Sequence, residues 1–172
     1  MSDNEWRLVK EAKEGDAHAF ARLYEKYYGD LYRFALCYLR HAQIAEDAVG
    51  QAVLKAYENI RKLRKNDSFK SWLFQITANE CRKLSRRRED YLEDVSWQEP
   101  REMEEGYTFF ELKELLSCLT EDERLVVTLS VFANYNSREI AALTHKKDGT
   151  VRSLKSRALD KLKTCMAEQH ME

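Results

Sequence analysis

Two clusters of cations in this chain are spaced to grip a polyanion, and no cluster of side chains is spaced for covalent chemistry. The first opens as Arg61-Lys62-Leu63-Arg64-Lys65, passes through Asn66-Asp67-Ser68, and resumes as Arg82-Lys83-Leu84-Ser85-Arg86-Arg87-Arg88, with five basic residues in that last run and no acid. Single-strand binding needs positive charge along the phosphates and flat side chains on which bases stack. Polar Asn79 and the rings of Trp72 and Phe74 lie between the two runs. At their helical spacing at least one ring belongs to a core, and Trp72 is assigned there. The second cluster runs from Ser137 to Lys163 and holds 8 basic against 3 acidic side chains. A helix entering a major groove needs donors in its first turns for base edges and cations on its flank for phosphates. Arg152, Ser153, Lys155 and Ser156, with Arg157 nearby, are the outward residues of such a helix. For both clusters the plain alternative is a solvated helix face.

Covalent and metal chemistry find no such support. His18, His41, His145 and His170 have no paired carboxylate, nucleophile or metal spacing around them, and no glycine-rich phosphate loop exists. Cys37, Cys81, Cys118 and Cys165 lie far apart without a C-x-x-C, and each sits among apolar neighbours, which predicts small buried thiols. An enzyme is disfavoured, and no metal, cofactor or small-molecule substrate is expected.

The elements that must carry these clusters are helical. Five Gly and one Pro in 172 residues leave few turn signals, which argues against a β-sandwich or barrel. Asp16 caps a helix whose apolar residues Phe20, Leu23, Tyr24, Tyr27, Leu31, Phe34, Ala35, Tyr38 and Leu39 recur at three- and four-residue spacing. A second helix buries Ala45, Ala48, Val49, Ala52, Val53, Ala56, Tyr57 and Ile60, turns Asp47, Gln51 and Glu58 outward, and holds Gly50 in its middle as a mark of close approach. A third begins at Phe69 and ends on the basic run. Further on, Phe109, Leu112, Leu115, Leu116 and Leu119 form a stripe that ends at Thr120, where Thr120-Glu121-Asp122-Glu123 is a capping box. Ser137 caps a short helix through Leu143, and a last helix from Thr150 turns Val151, Leu154, Ala158 and Leu162 inward. Short helix, tight turn and helix are a helix-turn-helix.

Charge divides the chain. Residues 1–90 hold 18 basic and 14 acidic side chains, residues 91–124 hold 3 and 11, and residues 125–172 hold 8 and 5. The net charge of −1 is therefore +4, −8 and +3 in sequence. The acidic segment contains the single proline, Pro100, and Gly106, with few apolar residues between, which reads as a linker at 93–106. The longest uncharged run, Leu125 to Ser137, is 13 residues, too short for a bilayer, and the first residues have no signal-peptide pattern. A soluble, intracellular, helical protein is expected.

The pattern Phe20-x-x-Leu23-Tyr24-x-x-Tyr27, Ala45-Glu46-Asp47, Phe69-x-x-Trp72-Leu73-x-x-Ile76-x-x-Asn79 and Glu139-Ile140-Ala141…Gly149-Thr150-Val151…Arg157-Ala158 resembles extracytoplasmic-function sigma factors of the sigma-70 family. The resemblance covers nearly the whole chain, and it implies an all-α protein of two small domains. Residues 1–92 would be a three- to four-helix sigma domain 2 and residues 107–172 a four-helix domain 4 with the helix-turn-helix, joined by the flexible acidic linker. It implies a cytoplasmic, non-enzymatic initiation factor whose partners are core RNA polymerase and promoter DNA, together with an inhibitory anti-sigma factor, often membrane-bound in the family. Carried over by position, Asp47, Gln51 and Glu58 would face the polymerase clamp. Arg64, Lys65, Asn66, Asp67 and Ser68 would hold an extruded base of the melted −10 element, with Asn79, Lys83, Arg86 and Arg87 along the single strand. Thr150, Arg152, Ser153, Lys155, Ser156 and Arg157 would meet the −35 duplex, and the acidic linker would mimic RNA in the polymerase channel.

Three positions depart from the family pattern. Gly50 stands where a Gln is usual, and Leu119-Thr120 replaces Leu-Pro. Thr144, His145 and Lys146 occupy a turn that normally carries Leu, Gly and Ile or Val, which predicts a looser or differently shaped turn. Two other functions compete: a helix-turn-helix regulator that acts without polymerase, and a helical adaptor that grips acidic proteins.

Overall fold

The computed structural model describes residues 2–89 and 115–169; the expected linker at 93–106, the stripe residues Phe109 and Leu112, and His170 lie outside them. Every regular element among the described residues is helical: α1 (Asp3–Glu14), α2 (Ala17–Leu39), α3 (Ala42–Asn59), two 3-10 turns (Ile60–Lys62 and Asn66–Ser68), α4 (Phe69–Glu89), α5 (Glu121–Phe132), α6 (Ser137–Thr144) and α7 (Asp148–Gln169). None of these helices is long and apolar enough to cross a membrane. The described residues group into two compact units, one of 2–35 with 43–89 and the other of 36–42 with 115–169.

In the first unit α1 has no counterpart in the sequence reading above, yet both its ends are signalled. The Ser2 hydroxyl accepts the Glu5 N–H at 3.4 Å. At the other end Gly15 takes φ 107°, and the amides of Gly15 and Asp16 return to the carbonyls of Ala12 and Glu11 at 3.1 and 3.0 Å. That pair of bonds closes a helix on a left-handed residue, which a glycine adopts without a Cβ penalty. Asp16 then caps α2, its carboxylate accepting the amides of His18 and Ala19 at 2.8 and 3.1 Å. The interior is filled by Leu23, Leu31 and Phe34 of α2, Val49 of α3, and Phe69, Leu73 and Phe74 of α4, all essentially sealed from water. The Phe34 and Phe74 rings meet edge to face with centroids 5.9 Å apart.

Two residues assigned to that interior lie elsewhere. Trp72 is only half-buried, and Phe74, two residues on, is the ring that fills the core. Tyr57 is 48% exposed, its ring held edge-on by Phe20 at 5.1 Å. Gly50 marks no close approach among the described residues: a side chain there would meet nothing within 4 Å.

In the second unit the two shorter helices, α5 and α6, each begin at a capping box, and the 22-residue α7 follows. Thr120 and Glu123 form the reciprocal capping box of α5, with bonds of 3.3 and 2.9 Å. The cap of α6 is Asn136 rather than Ser137: its side chain accepts the Arg138 and Glu139 amides at 3.0 Å, and Glu139 bonds back to the Asn136 amide at 2.8 Å. The final helix starts at Asp148, two residues before the expected Thr150. Leu116, Leu119 and Ala158 form a buried cluster with Cys37, on which Cys118 and Leu162 pack.

The turn between α6 and α7 is tight despite its residues. His145 itself takes the left-handed conformation (φ 55°, ψ 30°), and its amide returns to the Ala141 carbonyl. Lys146 donates its amide to the same carbonyl at 3.1 Å and its ammonium to Asp122 at 2.8 Å. Thr144 is buried and gives its hydroxyl to the Ile140 carbonyl at 2.7 Å. Hydrogen bonds and one ion pair thus do here what a glycine and two apolar side chains do by shape, and the expected looseness is absent.

Candidate nucleic-acid interface

The first cationic cluster is mounted on a turn anchored at both ends. Leu63 and Phe69 are buried, while Arg64, Lys65 and Asp67 between them are exposed and Asn66 and Ser68 half-exposed. Within the turn, the Leu63 amide donates to Ile60, and both the amide and hydroxyl of Ser68 donate to the Lys65 carbonyl, at 3.1 and 2.7 Å. From behind, α1 braces it. The Lys13 ammonium donates to the Asn66 side-chain oxygen at 3.1 Å, and the Arg61 guanidinium lies 3.3 Å from where a Cβ on Gly15 would stand. The brace is itself fixed to α2: buried Glu5 accepts the Lys26 ammonium at 2.6 Å and the Tyr27 hydroxyl. Burial pushes the Glu5 carboxyl up, but the bonds from Lys26 and Tyr27 outweigh it and hold the group below its ordinary range.

Beside the turn, α3 and α4 enclose an open groove of about 410 Å³. Lys55, Asn59 and Lys62 line one side, and Trp72, Ile76, Asn79 and Glu80 the other. The positions 72, 76, 79, 83 and 86 recur at alternating steps of four and three, so they lie along one face of α4. That face changes from an aromatic ring through exposed Asn79 to the exposed cations Lys83 and Arg86. Arg87 is also exposed but sits on the neighbouring face. Across the groove floor Lys55 is paired with buried Glu80, and Lys62 is held to Asn59 at 2.6 Å. The arrangement can stack a base on Trp72, offer an amide to a base edge at Asn79, and neutralise phosphates further along.

The groove sets Asn79 beside Trp72 and Lys62, both named with the first cluster in the sequence, and adds Lys55 and Asn59, while Lys83 and Arg86 continue the same face of α4. Trp72 is marked by its spacing of seven from Asn79, whereas Lys55 and Asn59 carry no signal in the sequence.

On α3 the expected protein-facing residues are all exposed. Asp47, Gln51 and Glu58 share a face with Gly50 and with Leu54, which is 60% exposed and was not singled out from sequence. A single exposed leucine is ordinary on a protein surface, so Leu54 is notable here only for its place in line between Gln51 and Glu58.

In the second unit Val151 and Ala158 are buried and Leu154 nearly so, which turns Thr150, Arg152, Ser153, Ser156 and Arg157 to solvent, with Lys155 half-buried. Arg152 pairs with Asp148 at 3.1 Å on the surface, and the Ser153 hydroxyl donates to the Gly149 carbonyl at 3.0 Å. Exposed pairs of this kind are worth about 0.2–1 kcal/mol, so Arg152 is released at little cost to meet an incoming acceptor. The platform beneath is held by Lys161, whose ammonium lies 2.7 Å from buried Glu123. That bond and those from Thr120 outweigh burial and keep the Glu123 carboxyl below its ordinary value. Among the described residues no group of three or more His, Cys, Asp or Glu is placed to hold a metal ion.

Comparison with known proteins agrees with this division. Residues 23–90 match the family described as Sigma-70 region 2, and residues 109–162 match Sigma-70, region 4. The chain is 25% identical over 169 residues to the RNA polymerase sigma-H factor of Pseudomonas aeruginosa, with 88% of each chain covered. It is 28% identical over 152 residues to the ECF RNA polymerase sigma factor SigM of Mycobacterium tuberculosis, covering 86% of this chain and 77% of that one. Its fold is similar to that of the sigma factor RpoE of Bartonella quintana, solved in complex with the anti-sigma factor NepR, with a TM-score of 0.74, 23% identity, and 86% and 96% of the two chains covered.

Proposed function

The chain belongs to the sigma-70 family as an extracytoplasmic-function, alternative sigma factor that directs transcription, and from that premise we propose how its residues divide the work. Asp47, Gln51 and Glu58, with Leu54 between them, dock on core RNA polymerase. The anchored turn Arg64 to Ser68 receives an extruded base of the −10 element, and the α4 face carries the rest of the melted strand. Thr150, Arg152, Ser153, Lys155, Ser156 and Arg157 read the −35 element as duplex in the major groove.

One observation carries the −10 reading: Trp72, Asn79, Lys83 and Arg86 lie in line on α4 beside the braced turn. Such a surface binds the open strand and not the closed duplex. Extruding a base costs a few kcal/mol, least where the strand is already parting, and a ligand of the open state drives melting by selecting it. Exposed Lys83 and Arg86 supply the sequence-independent part of the affinity, and Asn79 and the turn supply discrimination.

The protein is not itself an enzyme and works in the cytoplasm, where an anti-sigma factor covers the polymerase- and DNA-facing faces until a signal frees them. The complex of the Bartonella quintana relative with NepR supports that partner class.

Run-off transcription with purified core polymerase tests the function. A product from a two-element promoter that depends on this chain is the expected result. Tight duplex binding without polymerase, and no promoter-dependent product with active core, would instead identify a free-standing regulator.

A further inference from the structure

The four cysteines divide into two kinds. Cys37 and Cys81 are sealed, whereas Cys118 and Cys165 are each partly open to solvent. This corrects the expectation of four buried thiols, and the two open ones meet. Cys118 packs on the cluster formed by Leu116, Leu119 and Ala158, alongside Leu162. Residues 158, 162 and 165 are spaced by four and three, so Cys165 lies on the same face of α7 as Ala158 and Leu162. The two thiols are close enough to interact, and the Cys118 thiol also donates to the Leu115 carbonyl at 2.9 Å.

We propose that Cys118 and Cys165 are a dithiol modification site, which hydrogen peroxide converts to an intramolecular disulfide across the helix-turn-helix unit. In the first step the Cys165 sulfur attacks one peroxide oxygen, the O–O bond breaks, and water leaves, giving a sulfenic acid at Cys165. In the second the Cys118 sulfur attacks that sulfenic sulfur, the S–OH bond breaks, and a second water leaves. Two thiols lose two electrons and two protons, and the peroxide is reduced to two waters.

Cys118 packs on the apolar cluster and is engaged by the Leu115 carbonyl at 2.9 Å, and burial pushes its thiol up, which makes it the slower thiol toward peroxide; it acts second, losing its proton as it attacks the sulfenic sulfur. The closed loop, from 118 to 165, contains all of α5 and α6 and the DNA-facing turns of α7. A cross-link of that span removes entropy from the unfolded chain and ties the residues before α5 to the last helix. In a reducing compartment such a bond is transient, which suits a sensor better than a permanent staple. This inference stands apart from the assignment of the DNA-reading residues.

The test is peptide mapping of the full chain, reduced and then exposed to hydrogen peroxide. The expected product is a monomer two hydrogens lighter, with the Cys118 and Cys165 peptides joined, restored by dithiothreitol, and with a raised melting midpoint. Cys37→Ser/Cys81→Ser should still form it, and Cys165→Ser should not. The proposal is overturned if both thiols remain alkylatable, if either stops at sulfinic acid, or if the bond forms with Cys37, with Cys81 or between molecules.

Discussion

Trp72 stands on the border of two faces of α4. Leu73, Phe74, Thr77, Ala78 and Cys81 turn inward and are buried, while the row continued by Asn79 faces the groove. Periodicity alone places an aromatic on either side of such a border, because both faces repeat at the same interval. Only the neighbours decide, and here Phe74 already fills the interior. Base stacking on an aromatic is worth about 1–3 kcal/mol by truncation, so Trp72→Ala should weaken holoenzyme binding to a promoter probe with a single-stranded −10 element by roughly 5- to 150-fold. Trp72→Phe should retain most of it. Phe74→Ala serves as the contrast, since emptying a sealed aromatic site costs about 3–5 kcal/mol and lowers the melting midpoint instead. If Trp72→Ala behaves like Phe74→Ala, the ring is structural. Glu123 gives a second prediction at this scale. Its carboxyl is held below the ordinary 4.5, so the native state binds fewer protons than the unfolded one. The stabilisation is complete above the unfolded value and is lost as pH falls through the native one. Glu123→Gln keeps the capping geometry and removes the charge. Its melting midpoint should therefore be lower near neutrality and fall less steeply on acidification; a parallel acid limb would show that the pair with Lys161 contributes nothing.

Among the elements, α1 was the one not read from sequence, and the reason is physical. It buries only Leu8, Val9, Ala12 and Glu5, so its apolar face is narrow and interrupted by a carboxylate. Ser2 and Gly15 were readable as caps, but a cap without a stripe is weak evidence. The helix-turn-helix and the capping box at Thr120 were legible because several signals agreed there. What sequence could not supply was the link from α1 to the turn, a contact 53 residues apart. Lys13→Met should loosen Asn66 while leaving the exposed cations in place. The expected outcome is a several-fold loss of discrimination among −10 sequences in run-off assays, with −35 preference unchanged. An equal loss on all promoters would reduce the brace to general stability. The α6–α7 turn offers a test of strain. A left-handed non-glycine residue costs about 1–2 kcal/mol, and a glycine costs about 0.5–1 kcal/mol more in the unfolded chain, so His145→Gly should stabilise by about 0.5–1 kcal/mol. Denaturant unfolding would read this directly, and a destabilised variant would mean that the His145 side chain holds the turn.

For the molecule as a whole, the near-zero net charge conceals two basic blocks and an acidic segment of −8 between them. Attraction to DNA by the free chain is then set by a partial cancellation that screening and distance control. Replacing Glu93, Asp94, Glu99, Glu102, Glu104 and Glu105 with their amides leaves both helical units untouched in sequence. The isolated chain should then bind promoter duplex several-fold more tightly at low salt, by fluorescence anisotropy, with the gain vanishing as salt rises. Unchanged affinity would mean that the acidic segment does not restrain the free protein. The anchored turn has a consequence of another kind. Leu63 and Phe69 hold its ends and α1 supports its back, so Arg64, Lys65 and Asp67 contribute almost nothing to the interior. Mutations at those three positions escape the stability threshold that purges most changes in a small domain. Lineages carrying this scaffold are free to drift toward new promoter sets by altering a few surface letters, while the fold they inherit stays the same.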